Sequence, residues 1–171
     1  MKDSTIYLLI GAKGSGKSFI GILMEQEFHM KFLRVEDWAK KVKRERDIDN
    51  DSYLKEVFTT IENGVREQLK KQDSIVFEST GLTAYFDAML SSLQQDFNLV
   101  TIGIHADLEL CVKRVSERDQ SIHIPFSEQE VKDINLQVKE KHIDTDHIIN
   151  NENKTLDSLK SELRAILDQR N

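Results

Sequence analysis

The chain has 171 residues, 39% hydrophobic and 32% charged, a length and balance that predict one soluble domain with a full core. Its formal net charge of -6 argues against a general nucleic-acid binder, while leaving room for a local basic pocket. Cys111 is the only cysteine, which excludes an intramolecular disulfide and a cysteine metal cage, and no run reaches the ~20 apolar residues of a membrane span.

Residues 5–10, TIYLLI, are a short apolar run stopped by Gly11 and predict a buried strand. Residues 17–28 predict a helix. A second short strand is expected at 31–35, then a charged helix from about residue 36 to residue 46. Asp51 is placed to cap a long helix, in which Leu54, Val57, Phe58, Ile61, Val65 and Leu69 recur at helical spacing. SIVF, 74–77, predicts a third buried strand. Leu82, Tyr85, Phe86, Met89, Leu90 and Leu93 line the next helix, and LVTIGI, 99–104, is the next strand. Leu108, Cys111, Val112 and Val115 form one helical face, which makes Cys111 a core residue. Ser127 with Glu130 is a capping box and Phe126 with Val131 a hydrophobic staple, so a helix starts at about Glu128. HII, 147–149, is the last strand, and Leu156, Leu159, Leu163, Ile166 and Leu167 line a closing helix.

Strands alternating with helices predict an α/β fold with a mainly parallel sheet, and the apolar strands agree with that. No repeat or linker divides the chain, so residues 1–171 are expected to form a single domain. The first apolar stretch is too short for a signal peptide and runs straight into a glycine motif. A cytoplasmic location is expected.

That motif is GAKGSGKS. Gly11, Ala12, Lys13, Gly14, Ser15, Gly16, Lys17 and Ser18 match G-x-x-x-x-G-K-[ST] at every fixed position. The glycines let successive N–H groups turn toward an anion, and the following helix adds the positive end of its dipole. Lys17 is the expected point charge for β- and γ-phosphates, and the Ser18 hydroxyl a Mg²⁺ ligand. Glu78, directly after SIVF, is an acid at a strand end beside this loop, the place of a carboxylate that contacts Mg²⁺ through water. Glu36 and Asp37 follow the second strand, where an acid can orient an acceptor hydroxyl or simply satisfy a helix N-terminus. The choice between them stays open, with Asp37 slightly favoured.

These features together resemble the P-loop kinases of the nucleoside monophosphate kinase and shikimate kinase type. The resemblance covers nearly the whole chain and rests on GAKGSGKS, on the acid after the second strand, on IVFESTG, on CVKRVSERD and on HIINNENKTLDSLKSEL. It implies a three-layer P-loop NTPase fold: a five-stranded parallel sheet in the order 2-3-1-4-5, helices on both faces and a short lid. It implies ATP and Mg²⁺ as cofactors and a small-molecule or nucleotide acceptor held over residues 36–72. Arg114 and Arg118 match the R-x-x-x-R that opens the lid, residues 119–127. By resemblance, Arg114 stacks near the adenine and Arg118 reaches the phosphates. Asn150 and Asn151 would lie on the turn under the adenine. Where relatives carry D-G-x-P-R, this chain has Glu78-Ser79-Thr80-Gly81-Leu82, without the arginine that holds an acceptor phosphate. Arg34, Arg44, Arg46 and Arg66 are the cations left for an acceptor. The expected activity is γ-phosphoryl transfer by a monomer or homodimer. The alternatives are an NTPase that acts on a macromolecular partner and a polynucleotide end kinase, the latter disfavoured by the acidic charge.

Overall fold

The computed structural model describes residues 3–42, 50–119 and 121–169. Five strands, β1 (Thr5–Ile10), β2 (Lys31–Leu33), β3 (Ser74–Ser79), β4 (Asn98–His105) and β5 (His147–Asn150), pair in parallel in the order β2-β3-β1-β4-β5. The helices are α1 (Lys17–Phe28), α2 (Val35–Val42), α3 (Asp51–Leu69), α4 (Ala84–Asp96), α5 (Leu108–Glu117), α6 (Glu128–Lys141) and α7 (Leu156–Asp168).

Strand periodicity gives each face of the sheet its own core. Along β1, Ile6, Leu8 and Ile10 join the core on one face, and Tyr7 and Leu9 join the other. Val57, Ile61 and Val65 of α3 and Phe86 and Leu93 of α4 cover the first face. Ile20 and Met24 of α1 and Leu159 and Leu163 of α7 cover the second. Each such fully buried side chain stabilises the fold by roughly 1.5–3 kcal/mol. Because every strand runs the same way, the C-terminal ends of β1 and β3 meet at one edge, with Leu9 opposite Glu78. That edge is where an open parallel sheet receives ligands. No helix among the described residues is long and apolar enough to cross a membrane.

Several boundaries differ from the sequence expectation. β2 ends at Leu33 and α2 starts at Val35, so the second strand is shorter and its helix earlier. The charged helix ends at Val42 within the described residues, and Arg44 and Arg46 lie outside them. Asn50, not Asp51, caps α3: its side-chain oxygen accepts from the Tyr53 amide at 3.1 Å. β3 extends to Ser79, which places Glu78 inside the strand rather than after it. The capping box of Ser127 and Glu130 forms as expected.

Gly64 decides how α2 meets α3. A Cβ there would lie 2.4 Å from the indole of Trp38, so the ring uses the space a side chain would occupy. Gly64→Ala gains about 1 kcal/mol of helix propensity but overpacks the contact by about 1–3 kcal/mol. The expected net result is a melting temperature lower by about 2–4 °C and shifted emission from Trp38, the only tryptophan. Thermal unfolding followed by fluorescence checks both; a higher melting temperature would mean the indole moves aside freely.

Candidate active site

The loop between β1 and α1 is shaped by two glycines in the left-handed region, Gly14 at φ 83° and Gly16 at φ 99°. A Cβ on Gly14 would lie 2.2 Å from the Cys111 carbonyl oxygen of α5, so only glycine lets the loop pass so close. Cys111 itself is fully buried, as its helical stripe predicts, and burial pushes its thiol pKa up. α1 begins directly after Gly16 with no side-chain cap and no acid in its first turn. Its first amides are therefore left for an anion. Ser15 is fully buried and its Oγ has no hydrogen-bond partner.

Lys17 is buried at the base of this loop. Its Nζ donates to the carbonyls of Gly11 (2.9 Å) and Ala12 (2.8 Å). Burial pushes its pKa down, against the opposing pull of the Glu78 carboxylate. Lys13 is half-buried. Its ammonium lies 4.0 Å over the Phe126 ring, a cation–π contact. Burial first, and the nearby Lys17 charge second, lower its pKa to about 8. The backbone of Lys13 is held from α6: its amide donates to Asn135 Oδ1 (2.8 Å), and Asn135 Nδ2 donates to its carbonyl (3.0 Å). Sequence reading missed Asn135. The signal was available, since Val131, Asn135 and Val138 share one helical face and a polar residue there needs a partner.

The Ser18 hydroxyl donates to Glu78 Oε1 at 2.8 Å, and Glu78 Oε2 is buried with no hydrogen-bond partner. A hydroxyl and a carboxylate with one open oxygen form a hard donor set that fits Mg²⁺ completed by water and phosphate oxygens. No group of three or more His, Cys, Asp or Glu suited to a metal occurs among the described residues. A cation here would therefore rest on this pair and on its ligand.

The second pair of acids divides differently from expectation. Glu36 lines the cavity in front of the loop. Its Oε1 accepts from the Ile124 amide at 2.7 Å, and its Oε2 lies 3.0 Å from His123 Nδ1. Burial opposes charge on Glu36, but the Ile124 amide, the His123 ring and Lys13 outweigh it and hold its pKa below the usual carboxylate range. Asp37 is half exposed, pairs with Arg34 at 3.6 Å and does not line the cavity. The physical reason is helix phase. α2 starts at Val35, and each residue turns by about 100°, so only one of two consecutive acids can face inward.

Arg114 and Arg118 both line the same cavity, but not from one helical face as their spacing predicted. Arg114 lies in α5 and ties loop to sheet: Nη1 donates to the Gly14 and Ser15 carbonyls (3.4 Å each), and Nη2 to the Asn151 carbonyl (2.9 Å). Arg118 is the residue that ends α5, in extended conformation. Its Nη2 donates to the Ile124 carbonyl at 3.3 Å, while its buried Nε has no partner. The expected lid thus rests on α2 through Glu36, with Lys40 Nζ also donating to the Ile122 carbonyl. Asn150 is exposed in β5, opposite His105. Asn151 is the asparagine that reaches the loop, donating from Nδ2 to the Ser15 carbonyl at 2.8 Å.

The cavity measures about 430 Å³. Lys13, Lys17, Arg114 and Arg118 bring its positive charge from the loop side. Beyond Glu36 and Glu78 its wall comes mainly from α3, α4 and β3 and is mostly apolar, with Ser79, Thr80 and Thr83 adding hydroxyls. Arg34 and Arg66 do not line it. Arg66 is held by Asp96 (2.7 Å), Glu62 (2.9 Å) and the Ser92 hydroxyl (2.9 Å).

A parallel sheet in the order 2-3-1-4-5 with a G-x-x-x-x-G-K-[ST] loop after its first strand defines a P-loop fold, that of the nucleoside monophosphate and shikimate kinase-like group. The chain belongs to the family described as AAA domain, which matches residues 6–140. Shikimate kinase from Bacteroides thetaiotaomicron superimposes with a TM-score of 0.67 at 14% identity, over 96% of this chain and 97% of that one. A sugar kinase from Janibacter sp. HTCC2649 does so with a TM-score of 0.69 at 14% identity, over 96% and 95%. APS kinase from Mycobacterium tuberculosis, solved with AMPPNP and APS, gives 0.64 at 14% identity, over 98% and 99%. No curated protein matches the chain.

Proposed function

We propose that this protein is an ATP- and Mg²⁺-dependent phosphotransferase that moves a γ-phosphoryl group to the hydroxyl of a small-molecule or nucleotide acceptor. The observation that carries this reading is the open Glu78 Oε2 beside Ser18, in the cavity that Arg118 also lines. The solved kinases of the same fold, one of them with AMPPNP, support it.

The uncapped amides of α1 and the glycine loop would cradle the phosphates. Lys17 would exchange its loop carbonyls for phosphate oxygens. Mg²⁺, when bound, neutralises phosphate charge. Ser18 and Glu78 are the residues that would hold it. Glu36, charged and facing the cavity, would accept the hydrogen bond of the acceptor hydroxyl and orient it, the role expected of Asp37. Arg118 would meet charge as it develops on the transferring group. Incubating the protein with labelled ATP, Mg²⁺ and panels of nucleosides, nucleotides and small alcohols tests the reading. Label is expected on an acceptor faster than on water; ATP binding with no transfer to any panel would count against it.

Two variants follow from this scheme. Arg118→Ala is expected to lower kcat by about 100-fold while changing the KM for ATP by only about threefold, as steady-state kinetics would read. Equal rates would make Arg118 only a prop for Ile124. Lys13 gives a pH signature. Above pH 8 its ammonium is mostly neutral in the free protein, and phosphate favours the charged form. ATP binding should therefore take up on the order of half a proton at pH 8.5, and affinity should fall as pH rises through about 8. Calorimetry in buffers of different ionisation heat reads the uptake, which Lys13→Met should remove.

A further inference from the structure

Three successive lid residues, Ile122, His123 and Ile124, run into Pro125, the only proline, which favours extended backbone at Ile124. All three meet α2. Lys40 Nζ donates to the Ile122 carbonyl, His123 Nδ1 lies 3.0 Å from Glu36 Oε2, and the Ile124 amide donates to Glu36 Oε1 at 2.7 Å. Consecutive residues thus hold both oxygens of one carboxylate. The His123 and Glu36 side chains are only 14% and 20% exposed, and both line the cavity. Glu36 is charged at neutral pH, since the Ile124 amide, His123 and Lys13 outweigh the effect of burial. A carboxylate only accepts hydrogen bonds, so the His123 Nδ1 must carry a proton and donate it. The Ile124 carbonyl in turn accepts from Arg118 Nη2 at 3.3 Å. One short segment therefore joins the acceptor-side acid to the phosphate-side arginine.

Building on the phosphotransferase reading, we infer that His123 is a positioning residue for the acceptor acid: with the Ile124 amide it clamps the Glu36 carboxylate, so that Glu36 is set for an acceptor hydroxyl only while the lid rests on α2. A carboxylate offers about four acceptor sites. The clamp takes two and leaves others for the hydroxyl. Other charges also act on Glu36. Lys13 and Lys17 of the loop reach it through space, and Arg118 and Glu78 line the same cavity. Arg34 pairs with Asp37 outside the cavity, and Lys40 of α2 is turned to Ile122. From α3, packed against α2, the cavity receives Tyr53 and apolar side chains. Among the described residues, His123 is the one side chain hydrogen-bonded to the carboxylate.

The test compares the natural chain with His123→Leu, which has no donor, and His123→Asn, whose amide nitrogen donates where Nδ1 stood. Titration of the free protein with ¹³C-labelled glutamate carboxyls, followed by NMR, reads Glu36, and the Glu36→Gln spectrum identifies its signal. Without the donor, the charged form of Glu36 loses support, so its midpoint should move to higher pH in His123→Leu and return most of the way in His123→Asn. The Ile124 amide signal should titrate with the same midpoint as Glu36. A cooperative thermal transition shows that each variant is folded. With labelled ATP, Mg²⁺ and the panel of nucleosides, nucleotides and small alcohols, kcat for transfer should fall about tenfold or more in His123→Leu. Background ATP hydrolysis should fall less, and the acid limb of the transfer rate should move upward with the Glu36 midpoint. His123→Asn should recover both. An unmoved Glu36 midpoint in His123→Leu, or an asparagine variant as impaired as the leucine one, would overturn the inference. Label transfer at one rate by all three proteins would also overturn it and leave the phosphotransferase reading intact. If the midpoint moves and is restored as expected but no panel compound takes label from the natural chain, the clamp on Glu36 stands and the phosphotransferase reading falls.

Discussion

Lys17→Met is expected to remove ATP binding and to leave the protein folded. The Lys17 ammonium is buried and hydrogen-bonded to two carbonyls of its own loop. Burial depresses its pKa, so the folded state disfavours the charged ammonium. Relative to methionine of similar length, that charge costs stability and gains its use only against phosphate. Charge-assisted hydrogen bonds contribute about 1.5–3 kcal/mol each, so losing those to phosphate should weaken ATP by about 100-fold or more. The free variant should melt at the same temperature as the natural chain or higher, a trade of stability for function. The rise in melting temperature that ATP gives the natural chain should vanish. Calorimetric titration and thermal scans with and without ATP read both. Unchanged ATP affinity would sink the assignment of this loop as a phosphate cradle.

The three acids should separate equally clearly. Glu78→Gln removes the charge beside Ser18, and its expected effects are a transfer rate lower by about 100-fold and a Mg²⁺ requirement raised by about tenfold. Glu36→Gln should leave the metal curve in place but lower transfer more than background ATP hydrolysis, because water needs no oriented acceptor. It should also loosen residues 121–124, since an amide cannot accept from Ile124 and His123 as the carboxylate does. Asp37→Asn should change rate and metal dependence by less than about twofold, because an exposed ion pair is worth about 0–1 kcal/mol. Mg²⁺ titrations of transfer and hydrolysis across the three variants give the answer. A metal curve shifted by Glu36→Gln and not by Glu78→Gln would reverse the roles; a large loss in Asp37→Asn would return that acid to the site.

Much of this was legible in the sequence where a residue's role depends on its own neighbours. The loop, the strand before it and the helix after it are one continuous pattern, and Glu78 follows from the apolar strand that carries it. The strand order came with the family resemblance, and the sheet agrees with it. Glu36 was not separable from Asp37, because shifting the start of α2 by one residue turns a different acid inward. Arg118 was expected on a helical face, but α5 stops one residue before it. Asn135 and Asn151 act across the fold, on carbonyls and amides far away in sequence; the apolar stripe of α6 marks Asn135 as needing a partner, but local pattern does not say which. The apolar wall was present as the stripe of α3, but a stripe read alone looks like core and gives no hint that part of it stays open.

Those distant partners have a consequence for how the site comes into being. The loop is synthesised well before its supports: Arg114, Asn135 and Asn151 hold it across separations of 100, 122 and 136 residues. Contacts so far apart form late, after the intervening loop-closure entropy has been lost. A nascent chain ending before Arg114 would carry every letter of GAKGSGKS without the supports that fix its backbone. The capacity to grip a phosphate is thus encoded in the loop and completed only once Asn151, 136 residues beyond Ser15, has been made.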